Sequence, residues 1–475
     1  MVNGLIKNNY NLLIVIIFIS GCCLRFYGFN TQGYWFDEWT TLWHTNPAFN
    51  WDNFYQFRRE FAPGGNEYEA TPKVYFYILR NFFIIFGYTA ENGRIFTAVF
   101  SIFTLILIYF VSDIFTKKKK TKLLIFFLTS FNLFLIWEAQ ETRVQTIVLF
   151  FSLINIFLFL KLLENNKIYL VVIFLFSLIF LLSLYPVTFV IVVAQLLFLI
   201  NFYKQLQIII KFLIVYFFCA ILYLYFNYDY FLNIIQFKGL VHAKLHWHFF
   251  VGFFFNVFFG STILGGFFLI LFFSVVFLNR KRIFKNLYIQ FLFITLLVSY
   301  LLLIIYSFRN GIMAPRYIIF LVPIIIILIS TGLEKIDFEY GKYLYTIIVI
   351  FSATTLLYKI DDRPIKKPPT QKIIGIISAS NIKNVTTNIN NTKLFTNYLI
   401  SHKSFYANKL NFIDLKENTN FPNKIWLICK NNMRADVGEN HNVVSPDCYS
   451  DVLDNNMKIT KKIKELDLQL SLYER

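Results

Sequence analysis

The sequence predicts an α-helical polytopic membrane protein of about 11 transmembrane helices. It adds interfacial helices in the first external loop and a small carboxy-terminal α/β soluble domain. Three observations predict this class. The first is composition: of 475 residues, 57% are hydrophobic and only 15% are charged, and the mean hydropathy is +0.57. A soluble domain carries about 25% charged residues, so an ordinary cytosolic enzyme is excluded. An aromatic share of 20% excludes a disordered chain. The second is a series of apolar runs, each near the length that spans a bilayer. The third is a polar tail from about residue 359 onward, whose apolar stretches are short, as in Lys424-Ile-Trp-Leu-Ile-Cys429.

The first run, Leu12 to Phe29, is adequate for one crossing, and no small-x-small cleavage site follows it. Ile19-Ser20-Gly21-Cys22 resembles a lipoprotein processing box, but the apolar run continues beyond it. Further spans are expected at 93–113, 123–137, 144–160, 168–184, 187–203, 212–228, 249–278, 288–307, 317–333 and 344–358. Between 30 and 92 lies a long loop rich in Trp, Tyr, Asn and acids. Its apolar stretch Val74 to Phe86 is too short to cross and reads as a helix lying at the interface. Residues 1–358 thus form a membrane domain and 359–475 a soluble one, joined by Asp361-Asp362-Arg363-Pro364 and Pro368-Pro369. No tandem repeat supports a two-half transporter.

Lys and Arg number 45 against 27 acids, a net charge of +18. The surplus lies between spans rather than on a nucleic-acid-binding face, so no nucleic-acid partner is expected. Lys7, Lys117 to Lys120 with Lys122, Lys161 and Lys167, Lys204 and Lys211, Arg280, Lys281, Arg282 and Lys285, and Lys335 and Lys342 fall on one side if the spans alternate. The opposite short breaks hold only Arg143, Lys238, Lys244, Arg309 and Arg316. The positive-inside rule then places the amino terminus in the cytoplasm and, with an odd span count, the carboxyl terminus outside. Of the five cysteines, only Cys429 and Cys448 lie in polar sequence. They can form a disulfide in an oxidising compartment or remain free thiols.

Ionisable residues beside membrane segments are expensive and usually functional. Four clusters project to the external face. Gly33-Tyr34-Trp35-Phe36-Asp37-Glu38-Trp39 sets adjacent carboxylates among aromatics. Glu69-Ala70-Thr71-Pro72-Lys73-Val74-Tyr75 opens the interfacial helix, where Lys73 and the free amides of the first turn suit a phosphate. Trp137-Glu138-Ala139-Gln140-Glu141-Thr142-Arg143 is squeezed between short apolar segments, and its polar groups are expected to line a cavity at membrane depth. Arg309 and Ala314-Pro315-Arg316-Tyr317 place a guanidinium fork at the mouth of a span. Each has a plainer reading: an aromatic belt, a snorkelling lysine, a tight turn, an interfacial anchor. In the loop that holds His242, His246 and His248, the spacing of four between His242 and His246 suits metal ligands on one helical face, but there is no H-E-x-x-H signature and ordinary exposed loop histidines are the plainer reading. There is no P-loop and no dinucleotide-binding glycine fingerprint.

Taken in order, Asp37-Glu38, Pro72, Gly87, Arg94, Gln140-Glu141-Thr142-Arg143 and Pro315-Arg316-Tyr317 with Pro323 resemble the GT-C superfamily of integral-membrane glycosyltransferases. The likeness is to its protein O-mannosyltransferase and lipid A aminoarabinose transferase branch. It departs at Thr71-Pro72-Lys73, with one proline where the family usually has two, and at Leu184-Tyr185-Pro186-Val187, where Thr-His is often found. The resemblance implies an inverting transfer of a sugar from a polyprenyl-phosphate donor to a protein, lipid or glycan acceptor outside the membrane, such as a bacterial inner membrane. Asp37 would be the base, with Glu38 supporting the loop or a metal. Arg316, then Arg143, Lys73 and Arg94, would bind the donor phosphate, and Glu141, Gln140 and Tyr317 would line the cavity. No cofactor is certain, a divalent cation beside Glu38 being the one candidate. A transporter or flippase for a lipid-linked glycan, and an O-antigen ligase or polymerase, are the alternative classes.

Overall fold

The computed structural model describes residues 2–29, 32–34, 36–48, 71–165, 167–202, 205–236, 253–283, 285–310, 314–334, 341–362, 367, 370–387, 411–413, 421–430, 451–465 and 468–475. Its apolar runs are helical, because in lipid each backbone amide and carbonyl must find its partner within its own segment. Helix α1 (Val2–Phe26) carries the first run and continues unbroken past Cys22 and Cys23. Short α2 (Phe36–Thr45) follows, then α3 (Lys73–Phe86) and α4 (Ala90–Phe115). In α3, Tyr75, Phe76, Leu79 and Phe83 are buried while Tyr77, Ile84, Ile85 and Phe86 are exposed. That two-faced pattern suits a helix lying along a surface.

Helices α5 (Lys119–Ser130) and α6 (Leu133–Ala139) form a pair bent by 49°. Asn132 causes the break. Its side chain accepts the Leu135 amide at 2.9 Å, capping α6, and donates to the Phe258 carbonyl at 2.8 Å. Then come α7 (Gln145–Glu164), α8 (Ile168–Leu184), a 3-10 turn at Pro186–Thr188, α9 (Phe189–Phe202), α10 (Leu206–Phe226) and α11 (Tyr228–Gln236). After α12 (Phe253–Phe258) run α13 (Thr262–Ile283), α14 (Leu287–Asn310), a second 3-10 turn at Pro315–Ile318, α15 (Leu321–Glu334) and α16 (Gly341–Lys359).

Among the described residues five helices, Asn9–Phe26, Ala90–Phe115, Gln145–Glu164, Leu206–Phe226 and Leu287–Ile305, are long and apolar enough to cross a membrane; the bent pair makes six. The other expected spans coincide with shorter apolar helical stretches of 10–17 residues, such as Thr262–Leu278 and Tyr343–Lys359. Two of these are short because Pro186 divides α8 from α9. Burial sorts the helices radially. Helix α15 is buried from Leu321 to Leu333 and runs through the centre, whereas α10 exposes Phe217, Phe218, Ile221 and Leu224, as a lipid-facing helix does.

Two sets of polar side chains inside the bundle tie helices together. Tyr216 donates to Gln195 at 2.9 Å, Gln195 to Asn155 at 2.8 Å, and Asn155 to Ser177 at 3.2 Å, a chain linking α10, α9, α7 and α8. Buried Arg25 donates to Ser101 at 2.6 Å and to the carbonyls of Gly21 and Ser130 at 2.7 and 3.1 Å, joining α1, α4 and α5. At one end of the bundle Thr116 donates to Glu334 at 2.5 Å, Lys118 lies 3.7 Å from the same carboxylate, and Tyr288 donates to Glu164 at 2.6 Å. The candidate site gathers at the other end.

The chain leaves α16 there, and the Trp137 indole donates to the Ile360 carbonyl at 3.1 Å. Helix α17 (Thr370–Ala379) then packs on a five-stranded sheet of order β2-β1-β3-β5-β4. Its strands are β1 (Asn384–Thr387), β2 (Asn411–Phe412), β3 (Lys424–Lys430), β4 (Lys458–Glu465) and β5 (Leu468–Glu474), with short helix α18 (Asp451–Asp454) before β4. Strand β1 pairs parallel with β2 and β3, while β5 pairs antiparallel with β3 and β4. Cys429 is buried in β3 and disulfide-bonded; Cys448 lies outside the described residues.

Candidate active site

The first turn of α2 carries Asp37 and Glu38, where negative charge complements the helix dipole. Adjacent residues on a helix point about 100° apart, and the two acids meet opposite surroundings. The Glu38 side chain is 0% exposed and that of Asp37 38%. Glu38 Oε1 accepts the Thr142 amide at 3.0 Å and lies 3.6 Å from Arg94 Nε, while Oε2 accepts from Lys367 Nζ at 3.1 Å. The same ammonium is 3.3 Å from Glu141 Oε1 and is 1% exposed.

Arg94 is buried at the start of α4. It donates to the carbonyls of Phe29, of Gln32 at 2.8 Å and of Gly33 at 2.7 Å, and its guanidinium lies 4.4 Å from the Tyr34 ring centre. These bonds hold the segment between α1 and α2 on the end of α4. Tyr34 is 2.5 Å from both the Ala90 carbonyl and Thr142 Oγ1. Gln32 donates to Gln140 at 2.6 Å, and Gln140 donates to the carbonyls of Leu24 and Tyr27 at 3.1 and 2.9 Å. The tight turn between α6 and α7 is closed by the Arg143 amide on the Glu141 carbonyl at 2.7 Å. It approaches α4 over Gly93, where a Cβ would lie 2.7 Å from Thr142 Cγ2.

Asp37 sits between two guanidinium groups. Its Oδ2 is 3.0 Å from Arg316 Nη2 and 3.9 Å from Arg143 Nη2. Arg143 also donates to the Asp37 carbonyl at 3.1 Å and to Thr41 Oγ1 at 3.0 Å, so it grips the backbone as well as the carboxylate. Arg316 rides on the 3-10 turn that Pro315 opens. Burial pulls its basicity down, but Asp37, Tyr317, Glu138 and Glu141 together raise it, and the net shift is upward. It remains a fixed cation. Tyr185 and Tyr317 face each other at 5.9 Å beside it. Burial pushes the Tyr185 and Tyr75 phenols up, holding them protonated as donors rather than bases. Asp37 is thus a partly exposed carboxylate in direct contact with Arg316.

Of the other expected residues, Lys73 Nζ lies 4.0 Å from the Asp229 carboxylate. Arg94 is enclosed by carbonyls and Glu38 rather than open to a ligand, and Gln140 is engaged in tying α1 to the α6–α7 turn. Tyr317 has its ring 5.8 Å from the Arg316 guanidinium. Glu69, the loop with His242, His246 and His248, and the Arg309 side chain lie outside the described residues. Among the described residues no three His, Cys, Asp or Glu side chains are grouped to hold a metal ion. The donor set at Glu38 does not suit one either, since Lys367, Arg94 and an amide already surround that carboxylate. Sequence reasoning missed Lys367. Within Ile365-Lys366-Lys367-Pro368-Pro369 it has the signature of a solvated linker, and nothing local marks it as buried.

No protein-family model matches the chain, and no curated protein matches it either. Solved structures do. The crystal structure of ArnT from Cupriavidus metallidurans bound to undecaprenyl phosphate superposes with a TM-score of 0.56 at 8% identity, over 96% of this chain and 97% of that one. Its apo state gives 0.57 at 8% identity with the same coverage. The chain thus has the GT-C fold seen in ArnT. An oligosaccharyltransferase from Archaeoglobus fulgidus, tethered with an acceptor peptide, is more distant: TM-score 0.48 and 10% identity over 84% of this chain and 64% of that one. ArnT is a lipid A aminoarabinose transferase, and at 8% identity what this chain shares with it is the GT-C fold.

Proposed function

We propose that this chain is an inverting glycosyltransferase that moves a sugar from a polyprenyl-phosphate donor to an acceptor on the extracytoplasmic side of the membrane. The observation that carries the reading is the Asp37 carboxylate held by Arg316 and Arg143 at the polar end of a GT-C bundle. On that fold, ArnT binds undecaprenyl phosphate. Two guanidinium groups suit a phosphate, which each can grip through paired N–H bonds. They now grip Asp37 instead. An arriving donor phosphate competes for Arg316 and Arg143, and it leaves Asp37 free to turn toward the acceptor.

The step that follows needs one base. The acceptor hydroxyl gives its proton to an Asp37 carboxylate oxygen as its own oxygen attacks the anomeric carbon. The bond from that carbon to the phosphate oxygen breaks, and polyprenyl phosphate leaves with the electron pair. Its added negative charge is met by Arg316 and Arg143, which are already oriented. A single displacement inverts the sugar. Glu38 takes no part in proton transfer in this reading, since its carboxylate is enclosed. Arg94 and Gln140 shape the loop rather than bind the donor. The lysine-rich end of the bundle faces the cytoplasm, and the soluble domain stands outside.

The test is to incubate purified protein with a panel of polyprenyl-phosphate sugars and measure free polyprenyl phosphate. Asp37→Asn should abolish release, by about 100-fold or more as expected for a lost general base, while donor binding persists. Release at the wild-type rate from the Asp37→Asn protein, or a product with retained anomeric configuration, would refute the mechanism. No release from any donor would refute the function.

A further inference from the structure

We infer that Lys367, carried by the connector between the membrane helices and the sheet, is a positioning residue of the site. It clamps the first turn of α2 to the α6–α7 turn through a shared ammonium. Its Nζ lies 3.1 Å from Glu38 Oε2 and 3.3 Å from Glu141 Oε1, and all three side chains are at most 2% exposed. Charge explains the arrangement. Two carboxylates this close cannot both ionise in a buried space without compensation. Arg94 supplies one positive charge to Glu38, at 3.6 Å, while also serving three carbonyls. Lys367 supplies the second, and the group becomes neutral.

The clamp matters because of what lies beside each anchor. Glu38 adjoins Asp37, and Glu141 is two residues from Arg143, whose guanidinium meets the Asp37 carboxylate and carbonyl. Without the ammonium, Glu38 and Glu141 repel, and the elements that bear Asp37 and Arg143 separate. Lys367 reaches no reacting atom; it sets the distance between two groups that do. It also brings Lys367, three residues before α17, into the membrane domain's site.

Two experiments test this on the full-length detergent-solubilised protein. The first is independent of the transferase reading. In the connector 363–369 the bonds after Arg363 and Lys367 precede proline, so Lys366–Lys367 is its one readily cleaved tryptic bond. It should resist trypsin in the wild type and become cleavable in Glu38→Gln/Glu141→Gln, which removes the two carboxylates that clamp Lys367. Equal cleavage in both overturns the clamp. The second rests on the transferase reading and uses release of polyprenyl phosphate. Lys367→Gln should lower kcat by about 10- to 100-fold, with donor KM changed less, and Lys367→Arg should recover part of it. Adding Glu141→Gln to Lys367→Gln restores charge balance and should raise kcat several-fold over the single variant. A double variant no better than Lys367→Gln overturns the charge argument. If the wild type turns over no donor, the functional reading fails while the trypsin result still decides the clamp.

Discussion

Asp37 and Glu38 are neighbours in sequence with opposite environments. Glu38 is enclosed by Arg94, Lys367 and the Thr142 amide, so its charge is structural. Removing that charge leaves Lys367 and Arg94 undercompensated, and breaking a buried pair from one side costs about 3–5 kcal/mol. Glu38→Gln should therefore lower the thermal unfolding temperature measurably, whereas the half-exposed Asp37→Asn should leave it nearly unchanged. Differential scanning fluorimetry on the two proteins checks the contrast. Arg316 is the partner whose shape matters. Lysine keeps the charge but loses the planar fork, so Arg316→Lys should raise donor KM by about tenfold, the worth of roughly 1.4 kcal/mol. Titration of polyprenyl phosphate release against donor concentration measures this.

At the scale of elements, the site depends on close approaches that larger side chains forbid. Gly93 lets α4 pass the α6–α7 turn, and an alanine methyl there would sit 2.7 Å from Thr142 Cγ2 and 2.8 Å from its Oγ1. Thr142 cannot retreat freely, because its amide binds Glu38 and its hydroxyl meets Tyr34. Gly93→Ala should thus cost about 1–3 kcal/mol and reduce turnover together with stability, as thermal unfolding and polyprenyl phosphate release would show. Asn132 plays the complementary role, bending α5 away from α6 so that the 140–143 turn reaches the polar end. In the carboxy-terminal sheet, β4 is an edge strand among the described residues and bears Lys458, Lys461, Lys462 and Lys464. Lysines on an open edge discourage pairing with another chain.

At the scale of the molecule, charge is divided between the two ends of the bundle, one lysine-rich and one holding the Asp37 site. If the lysine-rich end is cytoplasmic, a cysteine placed at exposed Lys118 should react with an impermeant thiol reagent only after cells are opened. A cysteine at exposed Lys461 should react in intact cells. Both belong in a background lacking Cys22, Cys23 and Cys219, and the reversed pattern would invert the topology. The bundle is also tied to the segment that leads to the sheet: Trp137 holds Ile360, and Lys367 returns to Glu38. The two regions are mechanically joined at the site.

By itself, the sequence determined the membrane class, the run of apolar helices, the short two-faced α3 and the segments where chemistry could gather, because hydropathy and charge are local properties that lipid reads directly. It also marked Asp37, Arg143 and Arg316 one at a time, although 106 and 279 positions separate Asp37 from the two arginines. Only the tertiary structure decided which charges meet. It buried Glu38 and left Asp37 open, turned Arg94 and Gln140 onto backbone carbonyls, and brought in Lys367 from a connector that reads as solvated. The reason is physical: a charge in sequence has no fixed cost until folding sets its distance from water and from its counter-charge, and both are properties of packing.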